Sequence, residues 1–354
     1  MQDGQTPFPQ TLAAITAAWF SQCVARHHGG AAALTFERGT VIRGTATKVE
    51  YHIGWNEAGQ AHGLPPSLWL KCGLETQLAE QAEHSAIEAC FFRDLAPALS
   101  LNVPRPYATA LAPDGSSGIV IYEDLNRRPV TFGNQDATVS PERMNAILDM
   151  LADLHAAHWR APTLGQWEWL KPGGIIHANN VADQFLGFWD YAAQRPRFTH
   201  IPDALRDRDR IGAAIHALVA SDAAQPICVV HGDPHVGNQF YDADGTPGLL
   251  DWATVMQGHW AWDVSYAIIS SQPVDQRRAC QRDQLAHYLK QLEMRGVTPP
   301  AFADAWHDYA RHAAWMFLFS LCPAELQPEE MCIRNAERAG EAIMELDTVA
   351  LLLG

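Results

Sequence analysis

The chain has 354 residues, a hydrophobic fraction of 47% and twelve tryptophans, which suits one large domain or two closely joined ones with a sizeable core and argues against disorder. Its formal net charge of −15 repels polyanions, so nucleic acid and anionic membrane surfaces are poor partners, although a local cluster of donors can still hold a nucleotide. Seven cysteines (positions 23, 72, 90, 228, 280, 322 and 332) are odd in number and form no CxxC pair, which fits a reducing compartment and not a disulfide framework. The N-terminus carries Asp3 and no basic stretch, unlike a signal peptide, and the most apolar run, residues 313–321, is too short to span a bilayer. A soluble, cytoplasmic protein is expected.

Residues 12–23 place Leu12, Ile15, Trp19, Phe20 and Cys23 on one helical face. Residues 45–53 and 67–72 are short, rich in β-formers and separated by Gly and Pro, so both read as strands. Helical spacing returns over residues 76–94 through Leu78, Ala82, Ile87, Phe91 and Phe92. Two further strands, 105–110 and 118–122, are joined by a turn at Asp114-Gly115. These elements make a small α+β unit that ends near Glu123-Asp124-Leu125, and the expected division is 1–125 and 126–354 with a hinge between them.

Beyond residue 140 the chain reads as mainly helical. Ser140-Pro141-Glu142 supplies an N-cap, a proline at the first helical position and an acid in the first turn, and the helix continues through Ile147, Leu148, Leu151, His155 and Trp159. The β interruption covers residues 226–252: a strand at 227–230 and a hairpin turning at Asp244-Gly245. Asp242 and Asp244 look superficially like a calcium loop, but the later ligand positions are absent. No internal repeat or low-complexity linker is present.

The chemistry concentrates in His231-Gly232-Asp233-Pro234-His235-Val236-Gly237-Asn238 and in Leu249-Leu250-Asp251-Trp252, where Asp251 follows Asn238 by thirteen residues. An isolated Asp and Asn in a loop would cap turns. Together with a second aspartate on an apolar strand they form the set that phosphoryl transfer needs: one carboxylate to take the acceptor hydroxyl's proton, and an amide oxygen with another carboxylate to hold Mg²⁺.

The loop reads HGDxHxGN, and on that motif the sequence resembles the aminoglycoside phosphotransferase/choline kinase family, relatives of the protein kinases. The resemblance covers about residues 40–270. It implies a bilobal, protein-kinase-like α+β fold: a small N-lobe of antiparallel sheet plus helix, and a large, mainly helical C-lobe. It implies ATP and Mg²⁺ as cofactors, Asp233 as the catalytic base, and Asn238 and Asp251 as metal ligands. Lys71 takes the place of the lysine that grips the α- and β-phosphates, and Glu88 that of its helix partner, with Glu80 and Glu83 as competitors on the same helix. Glu123 and Leu125 fall at the hinge whose backbone holds adenine. His231, His235 and Asp263 resemble structural supports of the loop, and Leu154-His155-Ala156 a helix signature in which His155 reads as a core histidine.

One feature departs from the family pattern. The phosphate-covering loop falls at residues 42–47 and has a single glycine, Gly44, so Gly44 with the hydroxyls or amides of Thr45 and Thr47 is the expected substitute. Glu-Asp-Leu at 123–125 and His-Ala-Ala-His-Trp at 155–159 lean toward the ecdysteroid-kinase-like and acyl-CoA-dehydrogenase-associated branch. That branch implies a small, uncharged or amphipathic alcohol as acceptor, and Trp167, Trp169 and Trp189, in an irregular Gly/Pro-punctuated segment, are candidates to line its pocket. The rivals are an aminoglycoside phosphotransferase, a metal-dependent hydrolase with His231, Asp233 and His235 as ligands, and a nucleotide-binding pseudokinase. Monomer and homodimer are both open.

Overall fold

The computed structural model describes residues 7–76, 82–134 and 138–354. The chain divides into two compact units, Met1–Val130 with Asp251–Ala253, and Thr131–Leu250 with Thr254–Gly354. A linear reading places one cut near residue 125, whereas the structure also returns three residues of the later chain to the first unit.

The first unit is a five-stranded antiparallel sheet in the order β1-β2-β3-β5-β4, formed by β1 (Ala33–Arg43), β2 (Thr47–Trp55), β3 (Ser67–Cys72), β4 (Pro106–Leu111) and β5 (Gly118–Glu123). The helix expected over residues 12–23 is split into a 3-10 turn, Leu12–Ala14, and α1, Ala17–Ala25. Thr16 breaks it, because its hydroxyl accepts the N–H of Trp19 and caps a new helix. Register explains the two faces of the sheet. Val49 pairs with Leu70 and Tyr51 with Leu68, and these residues pack with Trp19 and Phe20 of α1 in one core. The alternate positions pair Lys48 with Lys71, Glu50 with Trp69 and His52 with Ser67 on the opposite face.

After the short α2 (Glu57–Ala61), helix α3 (Ala82–Cys90) leads into a single π turn, Phe91–Leu95. The start of the helix expected from residue 76, including Leu78 and Glu80, lies outside the described residues. Gly118 opens β5 because a Cβ there would sit 2.3 Å from the Ser85 carbonyl oxygen. Only a glycine lets α3 approach the strand so closely.

The second unit is mainly helical, and the chain is α+β as expected. Its helices are α4 (Pro141–Ala157), α5 (Gly174–Ala178), α6 (Val181–Leu186), α7 (Trp189–Ala192), α8 (Arg208–Ala224), α9 (Trp260–Ser271), α10 (Val274–Met294), α11 (Phe302–Met316), α12 (Glu329–Glu345) and α13 (Thr348–Leu353). Helix α4 starts at Ser140, whose hydroxyl accepts the Arg143 N–H. Strands β6 (Thr131–Phe132), β8 (Gln239–Tyr241) and β9 (Pro247–Leu249) form one small sheet, and β7 (Cys228–Val230) pairs with β10 (Met256–Gly258) in another. Every residue of α9 is buried. All seven cysteines are free, and among the described residues no helix is long and apolar enough to cross a membrane.

Candidate active site

Two constellations stand out, one in each unit. In the first, Lys71 sits in the middle strand β3 with its side chain only 3% exposed. Its Nζ lies 2.7 Å from Glu88 Oε2 on α3 and 2.8 Å from Asp251 Oδ1. Burial alone would strip the ammonium of its proton, but the carboxylates of Asp251 and Glu88 outweigh it and hold the pKa above the ordinary lysine value. Lys71 is therefore a fixed cation. Glu88 also accepts the Trp252 N–H at 3.3 Å, and the Trp252 ring stacks on Phe91, with centroids 3.9 Å apart and planes within 5°. Helix, strand and the 251–253 segment are thus tied through one glutamate. Glu83, on the same helix, has no ion pair with Lys71, and Glu80 lies outside the described residues.

Asp251 adopts φ of +62°, the left-handed region that Asp tolerates better than most residues but at a cost of about 1 kcal/mol or more. The carboxylate is held on Lys71 despite that strain.

The segment at 123–125 is rigidly braced. Asp124 is buried and accepts from Ser67 Oγ (3.1 Å), Trp69 Nε1 (3.2 Å), and both the backbone N–H (3.1 Å) and side-chain amide (3.0 Å) of Asn126. Glu123 Oε1 accepts the Arg105 N–H (2.9 Å) and Arg128 Nη1 (2.8 Å), while the Glu123 N–H is committed to Arg105 O. Leu125 begins a 3-10 turn, Leu125–Arg127, and its own N–H has no acceptor among the described residues. It is a helix-end donor of the kind left for a ligand.

The turn between β1 and β2 closes with the Gly44 N–H on Ala46 O at 3.1 Å. Thr47 needs correction as a source of a phosphate-facing hydroxyl. It is fully buried, and its Oγ1 donates to Glu75 O at 3.2 Å, because position 47 shares the core-facing register of Val49 and Tyr51. Gly44 and the exposed Thr45 remain at the turn.

In the second unit, β7 delivers His231 and the loop that follows. Asp263 on α9 is wholly buried and accepts the N–H groups of His231 (Oδ2, 2.7 Å) and Gly232 (Oδ1, 2.9 Å). His155 Nε2 reaches the same carboxylate at 3.1 Å, and its Nδ1 meets the Tyr288 hydroxyl at 2.7 Å. His155 is thus a satisfied core histidine that orients Asp263. His231 Nδ1 accepts the Asp233 N–H (3.2 Å), so its Nε2 carries the proton and donates to Leu250 O (2.9 Å). Both ring nitrogens are used, which overturns the reading of His231 as a metal ligand. Among the described residues, no group of three or more His, Cys, Asp or Glu side chains is arranged to hold a metal ion.

Asp233 emerges from this scaffold with its side chain 28% exposed. Asn238 Nδ2 donates to Asp233 O (2.9 Å) and Oδ2 (3.0 Å), leaving the Asn238 amide oxygen without a donor among the described residues. His235 caps the turn Val236–Asn238 by accepting the Gly237 N–H, and its Nε2 lies 3.6 Å from Asp233 Oδ2. Asp233 Oδ1 is buried with no donor at full hydrogen-bonding geometry, although the Tyr266 hydroxyl interacts with the same carboxylate. Nearby Tyr266 was not legible as a site residue. Burial first, and the Asp233 charge second, push its hydroxyl pKa well up, so it stays protonated beside the carboxylate. Its ring stacks on Phe319 (5.1 Å, 16°), which in turn meets Phe185 (5.4 Å).

Of the tryptophans expected at an acceptor pocket, Trp189 belongs to the core, packed on Phe198 and Phe317. Trp167 is half-buried with its ring edge-on to His158. The residue most clearly missed is Lys48. It is a strand lysine with no motif around it, and only the β2–β3 register places it opposite Lys71.

A family model described as "Phosphotransferase enzyme family" matches residues 74–317, a span that includes Glu88, Asp233, Asn238 and Asp251 and begins just after Lys71. No curated protein matches the chain. Among solved structures, the chain is similar to macrolide 2′-phosphotransferase MphH from Brachybacterium faecium, with 18% identity over 90% of this chain and 97% of that one and a TM-score of 0.45. It is also similar to the aminoglycoside phosphotransferase APH(2″)-IIIa in complex with GDP and kanamycin (11% identity, 94% and 98% coverage, TM-score 0.47). A third is choline kinase LicA from Streptococcus pneumoniae (12% identity, 90% and 97% coverage, TM-score 0.44).

Proposed function

The chain belongs to the phosphotransferase enzyme family, and we propose that it moves the γ-phosphoryl group of ATP onto the hydroxyl of a small-molecule alcohol, with Asp233 as the base. The observation that carries this reading is the pinned Asp233 carboxylate, with Oδ2 held by Asn238 and the buried Oδ1 short of a donor at full hydrogen-bonding geometry. A buried acceptor short of donors is costly, and a substrate hydroxyl arriving beside Tyr266 would supply one to the Asp233 carboxylate. The proton passes to Asp233 as the hydroxyl oxygen bonds the γ-phosphorus. The bond to the bridging oxygen breaks and ADP leaves.

Each unit contributes its own part. In the first, Lys71 presents a permanent cation for the phosphates, and the Leu125 N–H is a backbone donor for the adenine edge. In the second, Asn238 fixes the Asp233 carboxylate through its amide nitrogen, while His231 and Asp263 hold the loop backbone. Asp251 and Asn238 each offer an oxygen ligand of the kind Mg²⁺ takes. Mg²⁺ takes oxygen ligands and keeps several waters. When bound, Mg²⁺ neutralises charge on the phosphates.

The aromatic group of Tyr266, Phe319 and Phe185 beside the Asp233 loop supports an uncharged or amphipathic alcohol in preference to a polycationic aminoglycoside. The test is a screen of hydroxyl compounds with MgATP, reading phosphorylated product by mass spectrometry. Sterol-like, terpenoid and hydroxyacyl alcohols are expected to outperform aminoglycosides. ADP release that no acceptor stimulates, with no phosphorylated product, would sink the proposal.

A further inference from the structure

Lys48 lies in β2 immediately after the turn that carries Gly44 and Thr45, and it pairs directly with Lys71 across the β2–β3 ladder. Directly paired residues project from the same face of a sheet with their Cβ atoms about 5 Å apart, and like charges there repel. A lysine in that position normally relieves the repulsion by swinging into water or finding a carboxylate. Lys48 does neither. It is half-buried, and its Nζ makes no hydrogen bond or ion pair among the described residues. The two carboxylates within electrostatic reach, Asp251 and Glu88, are both in direct contact with Lys71. Burial first, and the Lys71 charge second, lower the Lys48 pKa below the ordinary lysine value, the signature of a cation without its counterion.

In a protein of net charge −15, a half-buried lysine beside another cation with no carboxylate of its own is not explained by packing. An ammonium held partly out of water needs an anion. Its position supplies the context. The preceding turn has one glycine where a phosphate-covering loop would present several backbone N–H groups, and the Gly44 N–H is spent on Ala46 O. The loop is therefore poor in donors at the point where the strand beside it carries a spare cation.

We propose that Lys48 is a second phosphate-binding lysine, acting with Lys71 on the triphosphate and standing in for the missing glycine-rich loop. The inference rests on the nucleotide reading given above and assigns to this site a contact that no motif announces. It makes the phosphate grip a paired-lysine device on adjacent strands, with Lys71 fixed by its carboxylates and Lys48 left open for the ligand.

Calorimetric titration of the full chain with MgATP, MgADP and adenosine separates the possibilities, using Lys48→Met, which keeps the aliphatic stem, and Lys48→Arg, which keeps the charge. Lys48→Met should weaken MgATP about ten- to a hundredfold, as expected for losing a hydrogen bond to a charged group. Adenosine binding should be unchanged, and Lys48→Arg should recover most of the loss. Without nucleotide, Lys48→Met should melt at or above the wild-type temperature, since it removes an uncompensated charge. MgATP affinity equal to wild type in Lys48→Met would overturn the proposal, and so would an equal loss for adenosine, which would mark a structural role. If the wild-type chain binds neither ATP nor adenosine, the nucleotide reading itself falls.

Discussion

At the scale of single residues, the loop's chemistry depends on backbone geometry as much as on side-chain identity. Gly232 has φ of +88°, and a Cβ there would lie 2.6 Å from Thr254 O, while its carbonyl accepts Trp262 Nε1 at 3.1 Å. Gly232→Ala meets both strain and a backbone clash, so it should cost about 1–3 kcal/mol in denaturant unfolding. Because the strain sits one residue before Asp233, phosphoryl transfer should fall as well. An alanine variant with wild-type midpoint and slope would show that the loop is not pinned as described. The motif made Asp233, Asn238 and Gly232 legible, because their residue types and spacing are dictated by the loop. Lys48 was not legible, since its meaning comes from a cross-strand partner 23 positions away in sequence. Thr47 was misread for a related reason: the two-residue strand period points it into the core.

At the scale of elements, punctuation decided what could be read. Strand β3 occupies Ser67–Cys72 as expected because prolines precede it and Gly73 follows, and α4 begins where Ser140-Pro141 directs it. The apolar spacing of residues 12–23 did not reveal the break at Thr16, nor did that of Phe91 and Phe92 reveal the π turn, because periodicity reports a buried face and not the hydrogen-bond register beneath it. Helix α9, which holds Asp263, is capped by His259, whose Nδ1 accepts the Ala261 N–H at 3.2 Å. Burial first, and the neighbouring His312 second, push the His259 pKa down to about 3, with the Asp222 charge opposing; Asp308 lies 3.6 Å away and Arg311 adds repulsion. His312 itself moves the other way, because Asp222 at 2.9 Å outweighs its burial. The folded pKa of His259 is below the unfolded value of about 6.5, so the unfolded chain takes the proton first. His259 therefore contributes stability above about pH 6.5 and loses it as the pH falls toward about 3. Between about pH 6 and 4 the wild type should lose up to about 1.4 kcal/mol per pH unit more than His259→Asn, a variant that keeps a capping side chain. Parallel pH profiles in denaturant unfolding would contradict the neutral, buried cap.

At the scale of the whole molecule, the α+β character and the family were legible because one loop motif and the change from strand to helix texture both survive in a bare sequence. The division of the chain was less so. Asp251–Ala253 joins the first unit through Lys71, Glu88 and Phe91, and no composition shift marks a return of three residues. Net charge, which argued against polyanionic partners at the sequence level, says little about the site, where Lys71 and Lys48 share one face of an otherwise acidic protein. The central claim is that Asp233 takes the acceptor's proton while other groups bind the nucleotide. The most direct measurement sets MgATP affinity beside single-turnover transfer to the best acceptor from the screen, in wild type and Asp233→Asn. The account predicts unchanged ATP affinity and transfer slowed by about 10²–10⁴-fold. Wild-type transfer by Asp233→Asn would contradict it.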